Sequence, residues 1–501
     1  DFLKTRQRAG PFSFLREDAM NRARQGSAQQ PAAGLPPRYS SERIIGVPEY
    51  LAAAGEFEKH DVVLLVIESL RPDVFRVFGG SKTVMPQLER VAAVSSRFHD
   101  NYAQSSHSNY ADIALVSSQY PLRSASTHYY PVNPPYPRVM LQDILAGAGY
   151  RAAVFSSQDE NWGGMINFLD SGNFEAIVHA GTFKAELRPE HVLYRNEAFK
   201  EYKDAMNLSP RAGKIDDAVT IGMAIEWLGS MHAAQPVFLQ LNLQSSHLPY
   251  YVPEDFPRRF FLETGEPLDA LGDGRLIELT SSQLHAAYLD SLAYVDAQAG
   301  RLVDYLQSTG RWENTIFVVT GDTGTSFDTL VDYDGDGQVT KIIGNGGDLI
   351  QDAVHVPLFI HAPAREPADY HRRTQHIDVL PAILDLLALP PHPGMQGESP
   401  LSINDRTPRP VFLVAQTPGA TQYAMIAGDW KLIYDADLRK YMLEYLGDDT
   451  DIANTPDVQK IARRMRFELD AWMSAQLSYY ADESRMRAYY PPVRTVGART
   501  E

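Results

Sequence analysis

The chain has 501 residues, 44% of them hydrophobic and 22% charged, and a formal net charge of −17 at pH 7. That length carries one large α/β domain with a smaller one beside it, and the acidity argues against a nucleic-acid backbone as partner. The absence of cysteine excludes disulfides, thiolate zinc sites and a cysteine nucleophile.

In chain order, residues 1–57 read as a weakly ordered lead-in. Gln25 to Pro37 is rich in Gln, Ala, Gly and Pro, a linker composition. Lys4, Arg6, Arg8, Arg16, Arg22 and Arg24 make its first part basic, as in a solvated arm or a tether near an anionic membrane surface. The chain begins at Asp1 rather than Met, which reads as a processed product with room for a signal or membrane segment upstream. No stretch within it approaches the length of a membrane span.

Asp61 to Ile67 is an unbroken apolar run after its first residue, the pattern of a strand buried on both faces of a parallel sheet. Glu68 follows directly, at the carboxyl end where open α/β sheets bind ligands. On this stretch alone Glu68 is equally an ordinary acid outside a core strand. Met85 to Ala93 predicts a helix with Pro86 in its first turn. Ser108 stands where a polar turn gives way to the helical Asn109 to Val116. A serine there is either an N-cap or a hydroxyl placed at the positive end of a helix.

A helix within 137–150 and a strand over 151–155 continue a βα pattern. The helix over 215–229 carries Ala218, Ile221, Ala224, Ile225 and Leu228 on one face. The strand Val237 to Leu243 leads into a Pro-bounded loop with His247, a candidate for substrate contact or simply a solvated side chain. A long helix spans 284–306, and the strand Thr315 to Thr320 delivers Asp322. Two buried strands therefore each end in a carboxylate, Glu68 and Asp322, a hard-cation donor pair. Asp332, Asp334 and Asp336, followed by Gly337, resemble the first half of a calcium loop, with Ile343 where the closing Glu belongs; an acidic surface turn is the alternative. A strand over 354–361 and a helix from Gln375 to Leu387 complete the large unit. From Pro410, three short strands (411–414, 423–427, 430–434) and a helix over 465–478 predict a small α+β subdomain. The tail beyond Tyr490 reads as irregular.

The order of these parts resembles the sulfatase and alkaline-phosphatase superfamily, in particular its sulfatase-like branch and the lipoteichoic-acid-synthase-type phosphoglycerol transferases. The resemblance runs from about Asp61 to Asn454. It rests on Val-Ile-Glu68-Ser-Leu-Arg-Pro-Asp73, Met85-Pro-Gln-Leu, Ala114-Leu-Val-Ser-Ser-Gln-Tyr-Pro121, Asn242-Leu-Gln-Ser-Ser-His247-Leu-Pro-Tyr250, Val319-Thr-Gly-Asp322, His376-Ile-Asp378-Val-Leu-Pro381 and Trp430-Lys-Leu-Ile433. It implies an α/β sandwich with a mostly parallel central sheet flanked by helices, as a catalytic-type domain over 58–405, with an α+β subdomain over 406–490 and a tail over 491–501. By the same resemblance Glu68 and Asp322 match acidic ligands of a divalent metal (Mn, Mg, Zn or Ca), Ser108 the nucleophile and His247 the substrate-facing histidine. Thr323 falls at a further metal-ligand position. The family implies a small-molecule, lipid-linked or glycan phosphate or sulfate ester as substrate, and a periplasmic or extracellular setting, with a membrane tether upstream.

The departures are specific. Ser108-Asn-Tyr-Ala-Asp112 lacks the Pro and Arg of the motif whose Cys or Ser becomes formylglycine, which argues for an unmodified serine. Thr323 replaces the usual His or Asn. Asn345 stands near a usual His-Gly pair and is a candidate anion donor. Asp159 ends Phe155-Ser-Ser-Gln-Asp159, where sulfatases place a Lys and a His, and is a candidate substrate contact. Two readings follow: a divergent hydrolase or transferase using Ser108, or a pseudoenzyme whose degraded metal site serves an envelope-associated binding or structural role. A third, a calcium-dependent structural module, rests on Asp332, Asp334 and Asp336 alone.

Overall fold

The computed structural model describes residues 39–188, 213–266, 279–332, 339–344, 348–401, 409–417, 420–447 and 458–494, with backbone only for 328–332, 339–344, 420 and 494. The strands of the central sheet are β1 (Asp61–Ile67), β2 (Ser96–Phe98), β3 (Arg151–Ser156), β4 (Ala176–Val178), β5 (Val237–Leu243), β6 (Thr315–Gly321), β7 (Leu358–His361) and β8 (Asp369–Tyr370). The helices are α1 (Val47–Ala54), α2 (Pro86–Ala93), α3 (Ser108–Ser117), α4 (Leu141–Gly147), α5 (Asp217–Ser230), α6 (Ser281–Ser308), α7 (Val379–Leu386) and α8 (Val458–Tyr480).

All seven residues of β1 are buried, because it lies inside an eight-stranded sheet of order β8-β2-β7-β6-β1-β5-β3-β4. β1 runs parallel to β5 and β6, and β3 parallel to β5 and β4; β7 is antiparallel to β6 and β2. Side chains alternate across the sheet. Val63, Leu65 and Ile67 enter one core with Ile221 and Leu228 of α5 and Leu284, Leu292 and Leu302 of α6. Val62, Leu64 and Val66 enter a second core with Ile113 of α3, Ile144 of α4 and Leu380 of α7. Helices therefore cover both faces, as an unbroken apolar strand requires.

Several elements differ from expectation. Inside the expected lead-in, α1 packs on the second core: Tyr50 is buried and its hydroxyl donates to the Pro390 carbonyl at 2.5 Å. Eight residues with three alanines carry too little periodicity to stand out. The strand expected over 354–361 begins at Leu358, since Pro357 has no N–H for the ladder; Gln351–Val354 is a helical turn.

The C-terminal subdomain is a four-stranded antiparallel meander, β9 (Val411–Thr417), β10 (Ala420–Ala427), β11 (Trp430–Asp435) and β12 (Lys440–Tyr445). β12 escapes sequence reading because only Tyr441 and Leu443 of it are buried. Phe412 stacks on Trp472 of α8 at 4.6 Å, joining helix to sheet. Val493–Arg494 pairs with Tyr39–Ser40, so the expected irregular tail is tied down at its start. Among the described residues no helix is long and apolar enough to cross a membrane.

Leu64, fully buried in the central strand, tests this sandwich. Leu64→Ala is expected to cost about 2–5 kcal/mol, read as a lower urea midpoint with an unchanged slope.

Candidate active site

Register builds the site. Ile67 sits opposite Leu243 of β5 and Gly321 of β6, so the next residues, Glu68, Gln244 and Asp322, emerge side by side at the carboxyl edge. The Glu68 N–H still bonds the Leu243 carbonyl at 3.0 Å, and the Asp322 N–H the Ile67 carbonyl at 3.3 Å. Both acids are fully buried.

Ser108 opens α3, and the N-cap is His107, whose side chain makes no cap bond. The serine hydroxyl is committed elsewhere: it donates to Asp322 Oδ2 at 2.7 Å and lies 3.4 Å from Glu68 Oε2. His107 stacks on Trp162, ring centres 4.6 Å apart, and burial lowers its imidazole pKa to about 4, leaving the ring neutral near pH 7.

Ser69 stitches the two acids together. Its φ of 57° is a strained value for a non-glycine residue. That turn aims its N–H at Asp322 Oδ1 (2.9 Å) and its hydroxyl at Glu68 Oε1 (2.9 Å). The Tyr288 hydroxyl donates to the Ser69 carbonyl at 2.7 Å. Arg71 then ties the neighbouring loops, donating to the Thr325 carbonyl at 2.9 Å and to Asp352 at 2.8 Å. Gly324 lies so close to the Asp352 carbonyl that a Cβ would collide with it.

Like charges in a dry site divide the protons. Burial alone would raise the Glu68 carboxyl, but the charges of His247 and Lys214 and bonds from Asp322 and Gln244 outweigh it and hold it near 2. Burial, then the charges of Glu68 and Asp112, push Asp322 well above the ordinary carboxylate range. A cation between them would relieve that cost. The donors are all oxygen, from Glu68, Asp322 and the hydroxyls of Ser108 and Thr323, which suits a hard cation. Among the described residues no three His, Cys, Asp or Glu side chains converge as a metal cluster. The set thus fits an ion held by two carboxylates, with hydroxyl, water and ligand oxygens completing it.

The remaining sequence candidates fall as follows. Thr323 is buried beside Asp322, its N–H on Asp322 Oδ1 at 2.5 Å. His247 bonds through Nδ1 to the Leu248 carbonyl at 2.5 Å and its charge bears on Glu68. Asp159 is engaged by His179 at 3.4 Å and by the Asn161 amide at 2.8 Å. Asp332 ends a strand, Ser326–Asp332, paired antiparallel with Val339–Gly344. Asp334, Asp336 and Asn345 lie outside the described residues.

Sequence reasoning missed Gln244, Lys214, Asn242 and Asp112. Gln244 follows a buried strand as Glu68 does, so the strand-end rule could have found it. Lys214 Nζ donates to Gln244 Oε1 at 2.5 Å, and no local pattern marks it. Asp112, one turn along α3 from Ser108, accepts from Gln158 and Asn242 at 3.4 Å each, and its Oδ1 is buried without a hydrogen-bond partner among the described residues.

The sulfatase family model matches residues 60–389. The N-acetylgalactosamine-6-sulfatase of Rattus norvegicus is 22% identical over 295 residues, which are 55% of this chain and 52% of that protein, so the chain spans about half of that relative. Among solved structures, the phosphonate monoester hydrolase of Agrobacterium radiobacter has a TM-score of 0.59 at 18% identity, covering 84% of this chain and 96% of that one. The lipoteichoic acid synthase LtaP from Listeria monocytogenes has a TM-score of 0.57 at 17% identity, covering 93% and 99%. At such identities the structural likeness is one of fold.

Asp112 gives a signed pH test. Burial, then the charges of Glu160 and Glu68, raise its carboxyl well above the usual value. The folded state thus holds its proton longer, and that stability is lost as pH rises from about 4 through the folded pKa. In chelator near pH 7, Asp112→Asn is expected to be more stable than the native chain by about 1 kcal/mol or more, with the gap closing near pH 4. Urea unfolding at both pH values checks this; a constant gap contradicts it.

Proposed function

The chain belongs to the sulfatase family, and from that premise we propose that it hydrolyses or transfers a phosphate or sulfate ester through unmodified Ser108. The observation that carries this reading is the Ser108 hydroxyl held between two buried strand-end acids, 2.7 Å from Asp322 and 3.4 Å from Glu68. Asp112 stands where the formylglycine motif has Arg, so the serine itself is the nucleophile.

In this reading the Glu68–Asp322 pair, which keeps one proton on Asp322 and leaves Glu68 ionised, takes up the Ser108 proton through the bonds that already reach its hydroxyl, and the start of α3 favours the resulting alkoxide. Ser108 Oγ forms a bond to phosphorus or sulfur, and the ester oxygen of the leaving group departs with the bonding pair. His247 faces the substrate from the β5 edge. The covalent Ser108 ester is then passed to water or to an alcohol acceptor. Glu68, Asp322 and the hydroxyls of Ser108 and Thr323 would hold a divalent ion, which would supply Lewis-acid stabilisation of the ester's negative charge and lower the proton affinity of the serine. The substrate class is a small-molecule, glycan or lipid-linked ester, in keeping with relatives named for a sulfated amino sugar and a lipoteichoic acid. A periplasmic or extracellular setting, with a tether upstream, belongs to the same proposal.

Thr323 in place of an imidazole, with two carboxylates at the Ser108 hydroxyl among the described residues, favours the second reading, a pseudoenzyme retaining the fold. Turnover of aryl phosphate, phosphodiester and aryl sulfate with added Mn2+ separates the two. The expected result is turnover of at least one class, lowered about a thousandfold or more in kcat/KM by Ser108→Ala, with a covalent adduct mapped to the Ser108 peptide. No turnover, or an active Ser108→Ala variant, overturns the nucleophile assignment. Glu68→Ala is expected to abolish Mn2+ binding measured by calorimetry.

A further inference from the structure

Every polar atom of Gln244 is committed. Its N–H donates to Asp217 Oδ1 at 2.9 Å, and its carbonyl accepts from Arg188 Nη2 at 3.0 Å and from the His247 N–H at 3.2 Å. Its side-chain Oε1 accepts from Lys214 Nζ at 2.5 Å, and its Nε2 donates to Glu68 Oε2 and Asn242 Oδ1, both at 2.9 Å. Asn242 passes the pattern on, its Nδ2 donating to Asp112 Oδ2 at 3.4 Å.

Donor chemistry fixes the direction of this chain of bonds. An ammonium can only donate and a carboxylate can only accept. A carboxamide between Lys214 and Glu68 must therefore turn its oxygen to the lysine and its NH2 to the glutamate. Asn242 is oriented the same way between Gln244 and Asp112. The bonds run one way, from the Lys214 ammonium through Gln244 to Glu68, and from Gln244 through Asn242, whose oxygen is taken by Gln244, to Asp112.

The same short segment grips both ends of Gln244. Lys214 takes its side chain, while Asp217 at the start of α5 takes the Gln244 and Ser245 N–H groups, each at 2.9 Å. Lys214 itself is held by paired backbone bonds to Arg188, at 3.0 and 3.2 Å.

We propose that Lys214 is a positioning residue that acts through Gln244 to fix the Glu68 carboxylate against Ser108. The cation arm of its test rests on the metal role proposed above for Glu68. Partners that orient a metal ligand without touching the metal contribute about 10–100-fold in affinity. Charge alone predicts the opposite sign, since a nearby ammonium repels a cation.

The test is Mn2+ titration by calorimetry, together with a crystal structure, for Lys214→Met, Gln244→Met and the double variant. Each single variant is expected to weaken Mn2+ binding about 10–100-fold, with the double variant no weaker than the weaker single one, because both break one chain of bonds. In the Lys214→Met crystal, the Gln244 carboxamide is expected to rotate and release Glu68 Oε2. Tighter or unchanged Mn2+ binding by Lys214→Met, or additive losses, overturns the proposal. If the native chain binds no Mn2+, the metal reading fails, and the Lys214→Met crystal decides the positioning role by itself: an unmoved Gln244 and Glu68 refute it. Should Lys214→Met not fold, Gln244→Met is read in both arms, and an unmoved Glu68 with unchanged Mn2+ affinity refutes it likewise.

Discussion

Two carboxylates buried at one hydroxyl are the constraint on which this structure turns. Were both ionised, two like charges at a separation of about 4 Å would repel by about 4 kcal/mol at an effective dielectric of 20, and each buried ion would cost several kcal/mol of lost hydration, so the proton stays on Asp322. The fold answers with direction rather than with many cations. The Ser69 N–H and hydroxyl, the Ser108 hydroxyl and the Gln244 amide all donate into Glu68 and Asp322. What those bonds leave uncompensated is what the proposed divalent ion would offset.

Holding such a site needs a rigid frame, and each part of the frame has a physical reason. Parallel pairing of β1, β5 and β6 in one register brings three strand ends level. Helices on both faces exclude water from the sheet. Beyond the edge the backbone is stapled by Arg71 and Tyr288 on one side and by Asp217 on the other. The left-handed turn at Ser69 stores strain that only an over-determined surround sustains. The small meander with α8 adds a third core, with Phe412, Leu432 and Trp472 meeting Tyr120 and Leu122 of the large unit.

Much of this was legible from residues alone, for reasons that also mark where legibility stopped. An unbroken apolar run signals a doubly covered strand, so β1 and β6 could be read, and with them Glu68 and Asp322 as the residues that follow. Ser108 could be read because a polar turn meets a helical pattern there. Gln244 obeys the same strand-end rule but carries no charge to draw notice. Lys214 and Asp112 have no sequence signal, because their roles arise from contacts across 30 or more positions of chain. The same holds for α1, which exists because the second core needs Tyr50 rather than because its own pattern is strong. Thr323 was visible as a departure, and its N–H lies on Asp322, with no third His, Cys, Asp or Glu joining a metal cluster there among the described residues.

The central claim is that Glu68, Asp322 and Ser108 form a cation-dependent site, and the thermal unfolding of the native chain against free Mn2+ after chelator treatment tests it most directly. Binding to the folded state alone stabilises by about 2.7 kcal/mol at a hundredfold excess over Kd. The account predicts a midpoint that climbs with the logarithm of Mn2+ above Kd. A midpoint indifferent to Mn2+, Mg2+, Ca2+ and Zn2+ across the millimolar range would contradict it.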